Sequence, residues 1–395
     1  MGSALSTFND FMDNTGPSFL TGATDIVNEA VKNNYLLRRF MRGKGPSETI
    51  QGGSTIRDSI MLDEKSTFQY YQPNETFAWQ NPQTLDQWDL DWRFSVDHMS
   101  WTDHEIELNT GGQGRNARHS TYKEIKRSKE QRLWTSLFNG MEDALFRVPN
   151  YSEMEDSTGT RPYSLPAFIN DQGSTLADAA GTGKIGTWAT DKLQDIEPSK
   201  LKWQNRVGIY GNSTKELLGG FDELFMALQF QPPPSHQEYF ENPTMNARFI
   251  AASRLGLKAY IHALRDNQDT FVTASRQDPS YMKPQYAGHD LEYVAELDTI
   301  GVYGKQTGDA SVAAGTSTES AGSSAFKGPR YYFIDGNYMK FVFHTTRYFY
   351  THPTMKHPNQ PFTTVMPVDC WHNFICRSRR RQGLLVPEEN YTQTT

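Results

Sequence analysis

The sequence has little cysteine, no long apolar run and no excess of positive charge, and each lack excludes a class of protein. Its 395 residues include two cysteines, too few for the disulfide framework of small secreted proteins. No apolar run approaches the roughly 18 residues of a membrane-spanning helix, and no signal-peptide pattern follows the start. The 39 lysines and arginines are outnumbered by 46 aspartates and glutamates, whereas nucleic-acid-binding proteins usually have a basic surface. We therefore expect a chain kept in a reducing cytoplasm, with no membrane segment.

Aromatic residues make up 13% of the chain, which argues against disorder and favours a folded core. Three segments show apolar residues at helical spacing. They run from Thr24 or Asp25 to about Met41, from Thr121 to Val148, and onward from Ser213. The last two begin with a Ser/Thr-x-x-Glu capping box, in "TYKE" (121–124) and from Ser213 to Glu216. The second helix would be about 42 Å long, with a charged first half and an apolar second half.

Strand-like alternation is strongest in "DWRFSVDHMSWTDHEIELN" (91–109), where two sets of side chains fall on opposite parities. One set is Trp92, Phe94, Val96, His104, Ile106 and Leu108, and the other is Asp97, Asp103, Glu105 and Glu107. Together with the aromatic stretch "STFQYYQP" (66–73), this predicts an extended β-hairpin with one acidic face within residues 49–112. Because no local core is evident for it, we expect the hairpin to reach out of the body and pack mainly on other subunits.

Strand and helix patterns alternate farther along the chain. Residues 247–253 read as a buried strand, 254–267 as a helix and 289–298 as another strand, which predicts a mixed α/β lobe. Residues 301–328 are rich in glycine, alanine and serine and predict an exposed insertion. From residue 330 onward the chain returns to strands, which end in "DCWHNFICRSRRRQGLLVP" (369–387).

That last segment contains both cysteines. Alternation places Cys370, His372, Phe374 and Cys376 on one face, and small, weakly polar thiols suit a buried face. A zinc site would need closer spacing, because on one strand these thiols lie about 20 Å apart. We therefore predict two core cysteines rather than a zinc site shared with His352 and His357.

Other candidate chemistry is weaker. Gly181, Gly183 and Gly186 have the spacing of a dinucleotide-binding loop, but no clear strand precedes them. His98 and His104 lie near carboxylates, but alternation points the two kinds of side chain to opposite faces of a strand. The sequence predicts no catalytic, cofactor-binding or metal site, and hence not an enzyme. A metal-dependent hydrolase that uses the C-terminal histidines is the alternative from another class.

The run "RSRRR" (377–381) is the densest positive charge in the chain. It could bind phosphate, but a nucleic-acid tail is usually a detached polar run, and this one lies between two apolar segments. The planar guanidinium group pairs bidentately with carboxylates, which the hairpin and "SEMEDS" (152–157) supply. We therefore predict ion pairs within or between chains.

The order of these elements resembles that of the major capsid proteins of tailed bacteriophages, which share the Hong Kong 97 fold. "DWRFSVDHMSWTDHEIELN" is similar to the family's extended loop, and "TYKEIKRSKEQRLWTSLFNGMEDALFRVP" (121–149) to its spine helix. "RFIAASRLGLKAYIHALRDNQDTF" (248–271) is similar to the strand and helix of its axial lobe. The segment from "YYFIDGNYMKFVFHTTRYFYTHP" (331–353) to "FICRSRRRQGLLVP" (374–387) is similar to the closing strands of its peripheral lobe.

The resemblance implies an α+β, Hong Kong 97-like capsid fold with five parts. These are an N-terminal arm (1–48), an extended β-hairpin loop (49–112), the spine helix with the first part of the peripheral lobe (113–195), the axial lobe with its exposed insertion (196–335), and the closing strands of the peripheral lobe (336–395). The arm is too short for a built-in scaffolding segment, so scaffolding is expected from a separate protein.

The resemblance also implies a major capsid protein that self-assembles into the icosahedral shell around the double-stranded DNA of a tailed phage. It would assemble in the host bacterial cytoplasm and remain in the virion. Implied partners are further copies in pentamers and hexamers, a portal protein, a scaffolding protein, a decoration protein, and packaged DNA bound without sequence specificity. The residues expected at subunit interfaces are Trp92, Trp101, Arg377, Arg379, Arg380 and Arg381. An encapsulin-like compartment shares the fold and is the closer alternative.

Overall fold

The computed structural model describes most of the predicted elements. It covers residues 34–41, 47–61, 67–68, 70–72, 76, 85–108, 115–146, 154, 159–169, 203–211, 213–228, 248–267, 284–298 and 329–387. The predicted start of the first helix, the Gly181 to Gly186 segment and the insertion 301–328 lie outside the described residues.

The described residues form the following helices and strands. The helices are α1 (Tyr35–Met41), α2 (Asp103–Leu108), α3 (Arg115–Leu145), α4 (Leu165–Phe168), α5 (Thr214–Leu228) and α6 (Arg254–Asn267). The strands are β1 (Ser47–Ile50), β2 (Thr55–Met61), β3 (Leu85–Asp91), β4 (Arg93–Thr102), β5 (Arg206–Tyr210), β6 (Arg248–Ala252), β7 (Gln285–Tyr286), β8 (His289–Tyr293), β9 (Tyr331–Asp335), β10 (Met339–His344), β11 (Tyr350–Thr351), β12 (Met355–His357), β13 (Gln360–Cys376) and β14 (Gly383–Pro387).

The chain divides into two compact units. Unit 1 comprises Met1–Asn34, Phe94–Met141 and Thr346–Trp371, and unit 2 comprises Tyr35–Arg93, Glu142–Thr345 and His372–Thr395. The division therefore falls within β4, within α3 and within β13. None of the helices in the described ranges is both long and apolar enough to span a membrane.

Unit 2 contains a six-stranded mixed sheet in the order β5-β14-β9-β6-β8-β7. Its second strand, β14, runs parallel to β5 and antiparallel to β9. The sequence prediction grouped residues 383–387 with the closing strands from residue 336 onward, and the lobe boundaries stay a prediction. The strand belongs to the sheet built from the segment 196–335, because its pairing partners β5 and β9 both lie there.

Two helices, α5 and α6, pack on this sheet, and the apolar side chains between the helices and the sheet form a hydrophobic core. The predicted capping box at α5 is confirmed: the Ser213 amide donates to Glu216 Oε2 at 3.3 Å, and the Glu216 amide donates to Ser213 Oγ at 3.2 Å. The apolar face of α5 then packs on α6 and the strands. The core residues are Tyr210, Leu217, Phe221, Leu224, Ile250, Ala252, Tyr260, Ala263, Leu291, Tyr331, Phe333 and Leu385.

Unit 2 also contains a second strand group, which β13 completes. Strand β1 pairs in parallel with β10, and β10 pairs antiparallel with residues 372–376 of β13. Helix α1 packs against these strands through Phe40, whose ring makes edge contacts with Phe341 at 5.9 Å and Phe374 at 5.4 Å. The predicted apolar residues Leu37 and Phe40 are indeed buried.

The hairpin is formed by β2 and β3, which pair antiparallel from Thr55 opposite Asp91 to Met61 opposite Leu85. Its body-facing side chains are buried, with Ile56 at 1%, Trp88 at 1% and Leu90 at 5% exposure. The prediction of a strand at "STFQYYQP" is wrong for its described residues, which lie outside strands.

Unit 1 is built on α3 and the first part of β13, with which β4, β11 and β12 pair. The buried residues Ile125, Leu133 and Leu137 recur at multiples of four on α3, as predicted. The predicted capping box at Thr121 is wrong, because the helix begins at Arg115 and residues 121–124 lie inside it.

Residues 103–108 form helix α2 and not the second half of a strand. A capping box that the sequence reading missed causes the change. The Thr102 amide donates to Glu105 Oε2 at 3.1 Å, and the Glu105 amide donates to Thr102 Oγ1 at 3.2 Å. Lys129 of α3 reinforces it, donating to Glu105 Oε2 at 2.6 Å and to the Ser100 carbonyl at 2.8 Å. The predicted acidic strand face therefore does not exist beyond Thr102.

The paired strands of the hairpin cover less of the chain than the predicted range 49–112. Met99, Trp101 and Ile106 are buried in the chain's own core, at 0%, 4% and 6% exposure. The paired strands are residues 55–61 and 85–91, and the residues that follow form β4 and α2.

Replacing Thr102 by alanine tests the helix assignment of residues 103–108. Loss of the side-chain acceptor should lower the free energy of unfolding by about 1 kcal/mol and speed hydrogen exchange at the Glu105 amide. Thr102→Ser keeps the hydroxyl and should behave like the natural chain in both measurements. Equal exchange at Glu105 in the alanine and serine variants would contradict the capping role.

Candidate functional site

The two cysteines of β13 are core residues, as predicted. Both are reduced and buried, each with 0% exposure, on the face that alternates with Asp369, Trp371 and Asn373. Burial raises the pKa of the Cys370 thiol to about 11 and that of Cys376 to about 12. Both groups are therefore protonated and poorly nucleophilic at neutral pH.

The histidines near these cysteines make separate contacts. His352 Nε2 lies 3.3 Å from Asp369 Oδ1, and its ring meets Tyr350 edge-on at 4.9 Å. The buried ring of His372 lies 6.0 Å from that of Phe343. Within the part of the chain that the structure describes, no three His, Cys, Asp or Glu residues are grouped so that they could hold a metal ion.

The arginine run forms a tight turn between β13 and β14, and its members have different partners. Arg377 makes the predicted kind of ion pair, with its Nε 2.7 Å from Asp58 Oδ2 of the hairpin. The guanidinium of Arg381 lies over the ring of Tyr338, 4.3 Å from its centroid. Arg380 is partly buried in the same turn.

Arg379 corrects the prediction of carboxylate pairing. Its side chain is 0% exposed, and burial lowers its pKa to about 10. Nε donates to the Phe168 carbonyl at 2.8 Å, Nη1 to the Trp203 carbonyl at 3.2 Å, and Nη2 to Asn205 Oδ1 at 3.2 Å. All three acceptors are neutral, so this arginine fastens distant backbone segments to the turn.

A second arginine that the sequence reading did not single out plays a similar role. Arg93 is buried, with its Nη2 donating to the Met154 carbonyl at 2.6 Å and its Nη1 to the Gly159 carbonyl. Its place in an alternating strand, one residue after a tryptophan, gave no sign of burial.

The two tryptophans predicted at subunit interfaces are covered by their own chain. Trp92 is 5% exposed; its Nε1 donates to the Gly53 carbonyl at 3.1 Å, and its ring meets His344 edge-on at 5.3 Å. Trp101 is 4% exposed and packs on Tyr122 at 5.9 Å. Trp92, Trp101, Arg379 and Arg381 are thus interior residues of one chain, and a subunit contact through Arg377 and Arg380 stays a prediction.

Two other groups of apolar side chains are exposed, one in each unit. In the loop between β2 and β3, Phe68, Tyr70 and Tyr71 are 74%, 91% and 69% exposed, and Phe68 and Tyr70 meet edge-on at 5.0 Å. We call these three residues the loop aromatics. Exposed apolar side chains that lie together are typical of surfaces that bind another molecule.

The second group lies on the sheet of unit 1. Phe94 and Val96 lie on one face of β4 and are 62% and 71% exposed. Phe362, near the start of β13, is 72% exposed. Phe94 meets Trp371 edge-on at 4.9 Å, and Arg347 lies over the same indole, 5.6 Å from its centroid. Alternation correctly put Phe94 and Val96 on one face, but that face is open and the face with Met99 and Trp101 is buried.

A buried carboxylate holds the start of α1. Glu142 is 0% exposed, and its two oxygens accept the amides of Leu36 at 3.2 Å and Leu37 at 2.8 Å. Burial raises its pKa to about 7 against the lowering effect of these bonds, and the negative charges of Glu296 and Asp143 add to the rise. Glu142 therefore titrates near neutral pH.

Comparison with known proteins identifies the fold. No family model matches the chain, and no curated protein matches its sequence. The capsid of a native GTA particle superposes with a TM-score of 0.52 at 7% identity, over 94% of this chain and 94% of that chain. A capsid chain of cyanophage A-1(L) superposes with a TM-score of 0.51 at 11% identity, over 94% of this chain and 96% of that chain. The chain has the Hong Kong 97-like capsid fold. The resemblance seen in the sequence is thereby confirmed for the fold.

Replacing Arg379 by lysine tests its structural role within this capsid fold. An ammonium group cannot reach three acceptors that a planar guanidinium satisfies together, so buried carbonyls lose their donors. We expect the free energy of unfolding in urea to fall by about 3 kcal/mol. Arg380→Lys, one residue away on the same turn, should change it by less than about 0.5 kcal/mol. Equal effects of the two substitutions would contradict the assignment.

The raised pKa of Glu142 predicts a pH dependence of stability. Between its reference value of 4.5 and about 7, the folded chain holds a proton that the unfolded chain releases. The stability contributed by this protonation is complete below pH 4.5 and is lost as the pH rises through 7. Its upper limit is about 3 kcal/mol, since each pKa unit corresponds to about 1.4 kcal/mol.

Glu142→Gln imitates the protonated side chain and should remove this dependence from urea unfolding measured between pH 5 and pH 8. Glu296→Gln removes a neighbouring negative charge that raises the pKa of Glu142, so the loss of stability should end at a lower pH and be smaller in total. Identical pH profiles for the natural chain and Glu142→Gln would show that Glu142 does not titrate in this range.

Proposed function

We propose that the chain is the major capsid protein of a tailed phage, and that its copies assemble into an icosahedral shell around double-stranded DNA. The observation that carries this proposal is the shared fold, which extends over 94% of this chain and over 94% and 96% of two capsid chains. A likeness limited to one lobe would support only a common domain. Nearly complete coverage in both directions supports a common architecture.

The distribution of exposed apolar side chains supports a role in self-assembly. The loop aromatics and the open face around Phe94 and Val96 are surfaces that a second copy could bury. Aromatic and arginine side chains, such as Arg347 over Trp371, are enriched where protein interfaces bind most strongly. We assign the β2–β3 hairpin as the extended loop, α3 as the spine helix, and the six-stranded sheet of unit 2 with α5 and α6 as the axial lobe.

The proposed contact with DNA is not sequence-specific. The net charge of the chain is −7. Within the "RSRRR" run, Arg377 pairs with Asp58, Arg379 is buried, and Arg381 covers Tyr338, so three of its four arginines already contact their own chain. Pentamers and hexamers of the chain, a portal protein, a separate scaffolding protein and a decoration protein complete the proposed set of partners.

Electron microscopy of the purified full-length chain tests the proposal. We expect closed shells, alone or with co-expressed scaffolding protein, and a chain that stays small under both conditions would refute it. Particles from infected cells that contain genome, portal and tail would separate a phage capsid from an encapsulin-like compartment.

A loop variant tests the assembly surface. Residues 62–84 are replaced by Asn-Gly, which can join the facing residues Met61 and Leu85 by a two-residue turn. Without the loop aromatics, the chain should form at least tenfold fewer shells, while its free energy of unfolding changes by less than about 1 kcal/mol. Met226→Ser removes a 73% exposed apolar side chain of α5 and serves as the control, with normal assembly. Normal assembly of the loop variant would contradict the role of this surface.

A further inference from the structure

The two ends of the hairpin differ where they join the body. Contacts fix the chain where it leaves the hairpin, whereas two glycines leave the backbone free to rotate where it enters. On the exit side, Asn373 Nδ2 donates to the Asp91 carbonyl at 2.8 Å, and the buried ring of Trp92 follows directly. On the entry side, Gly52 and Gly53 have φ values of 77° and 95°, a left-handed backbone that favours glycine. No side chain at these two positions restricts rotation of the backbone.

The two faces of the ribbon differ in their contacts. Ile56, Asp58 and their partners Leu90 and Trp88 share the face that is covered by the body. On this face, Asp58 Oδ2 lies 2.7 Å from Nε of Arg377 in the turn after β13. Asp58 is three residues from the start of β2, so the ion pair holds the ribbon beyond its glycine entry.

The opposite face carries an ion pair of the same chemistry that does not reach the body. Arg57 and Asp89 face each other across the ribbon, with Nε 3.0 Å from Oδ1 and side chains 70% and 46% exposed. It joins β2 to β3, whereas the pair of Asp58 and Arg377 joins the ribbon to the body. A substitution in the pair of Arg57 and Asp89 is therefore a matched control for a substitution in the pair of Asp58 and Arg377.

We propose that Arg377 and Asp58 are positioning residues that set the direction in which the hairpin leaves the body. The loop aromatics lie beyond this pair, so a change of angle near Asp58 displaces them by a larger distance. This extends the proposed function, because the direction of the hairpin decides whether its loop meets a neighbouring copy. Partly exposed ion pairs are weak. Loss of this one should therefore lower, by about fivefold at most, the ratio of chains whose hairpin keeps the observed orientation to chains whose hairpin has moved away from it.

The orientation can be measured in the unassembled chain, independently of shell formation. Spin labels are attached to Gln87→Cys on the hairpin and Lys215→Cys on α5, both at exposed positions. The natural cysteines are buried thiols with raised pKa and should not react. Double electron–electron resonance then gives the distribution of distances between hairpin and body.

We expect one narrow distribution for the labelled natural chain and a broader or second one for Asp58→Asn. The exchanged pair Asp58→Arg with Arg377→Asp should restore the narrow distribution, and Asp89→Asn should leave it unchanged. Raising the salt from about 0.05 M to about 0.5 M should broaden the natural distribution and leave that of Asp58→Asn unchanged.

Shell formation by the same variants, without labels, is then followed by light scattering. Asp58→Asn should assemble several-fold more slowly, and the exchanged pair should recover. Equal distance distributions in Asp58→Asn and Asp89→Asn would overturn the inference, as would a broadened distribution with an unchanged assembly rate. If the natural chain forms no shells either alone or with scaffolding protein, the proposed function fails, while the distances still decide whether the ion pair orients the hairpin.

Discussion

The burial of one positive charge constrains the architecture of unit 2. Moving a guanidinium out of water costs several kcal/mol unless its donors find acceptors inside the protein. Arg379 finds them on Phe168, Trp203 and Asn205, which lie far from it in sequence. The turn between β13 and β14 can therefore reach its final position only when those segments are also in place. A neutral residue at this point could fill the space but would leave three buried acceptors without donors.

The same turn determines how the six-stranded sheet closes. Gln382 Oε1 accepts the Asp335 amide at 2.8 Å, its Nε2 donates to the Asp335 carbonyl at 3.2 Å, and its own carbonyl accepts the Arg206 amide at 3.0 Å. Strand β14 then lies between β5 and β9, so the last described strand of the chain joins two that precede it by many residues. Such non-local pairing makes the sheet slow to form and dependent on the C-terminal segment. The long separation along the chain also explains why local patterns did not predict the pairing of β14 with β5 and β9.

Local signals in the sequence predicted local structure well. The capping box at Ser213, the helical spacing on α3 and the alternation around Cys370 each concern neighbouring residues, and the structure follows them. The box at Thr121 failed because the helix extends N-terminal to it, and the box at Thr102 was hidden inside an alternating pattern. Distant residues decide which face of β4 is buried. Distant residues such as Trp203 also decide what Arg379 contacts. Periodicity carries no information about such partners, so it did not predict that Trp92, Trp101 and Arg379 are buried within one chain.

The strands at the base of the hairpin bury their apolar side chains within one chain, whereas the loop aromatics stay exposed. Burial of Ile56, Trp88 and Leu90 stabilises the base before any neighbour arrives, although an isolated two-stranded ribbon is marginal in water. The loop aromatics are carried away from that core and stay exposed. Under the proposed function, a second copy would meet a surface whose backbone is already ordered at its base, which reduces the conformational entropy lost on association. The base of the hairpin would then be ordered when each chain folds, and the loop aromatics would be buried only when copies assemble.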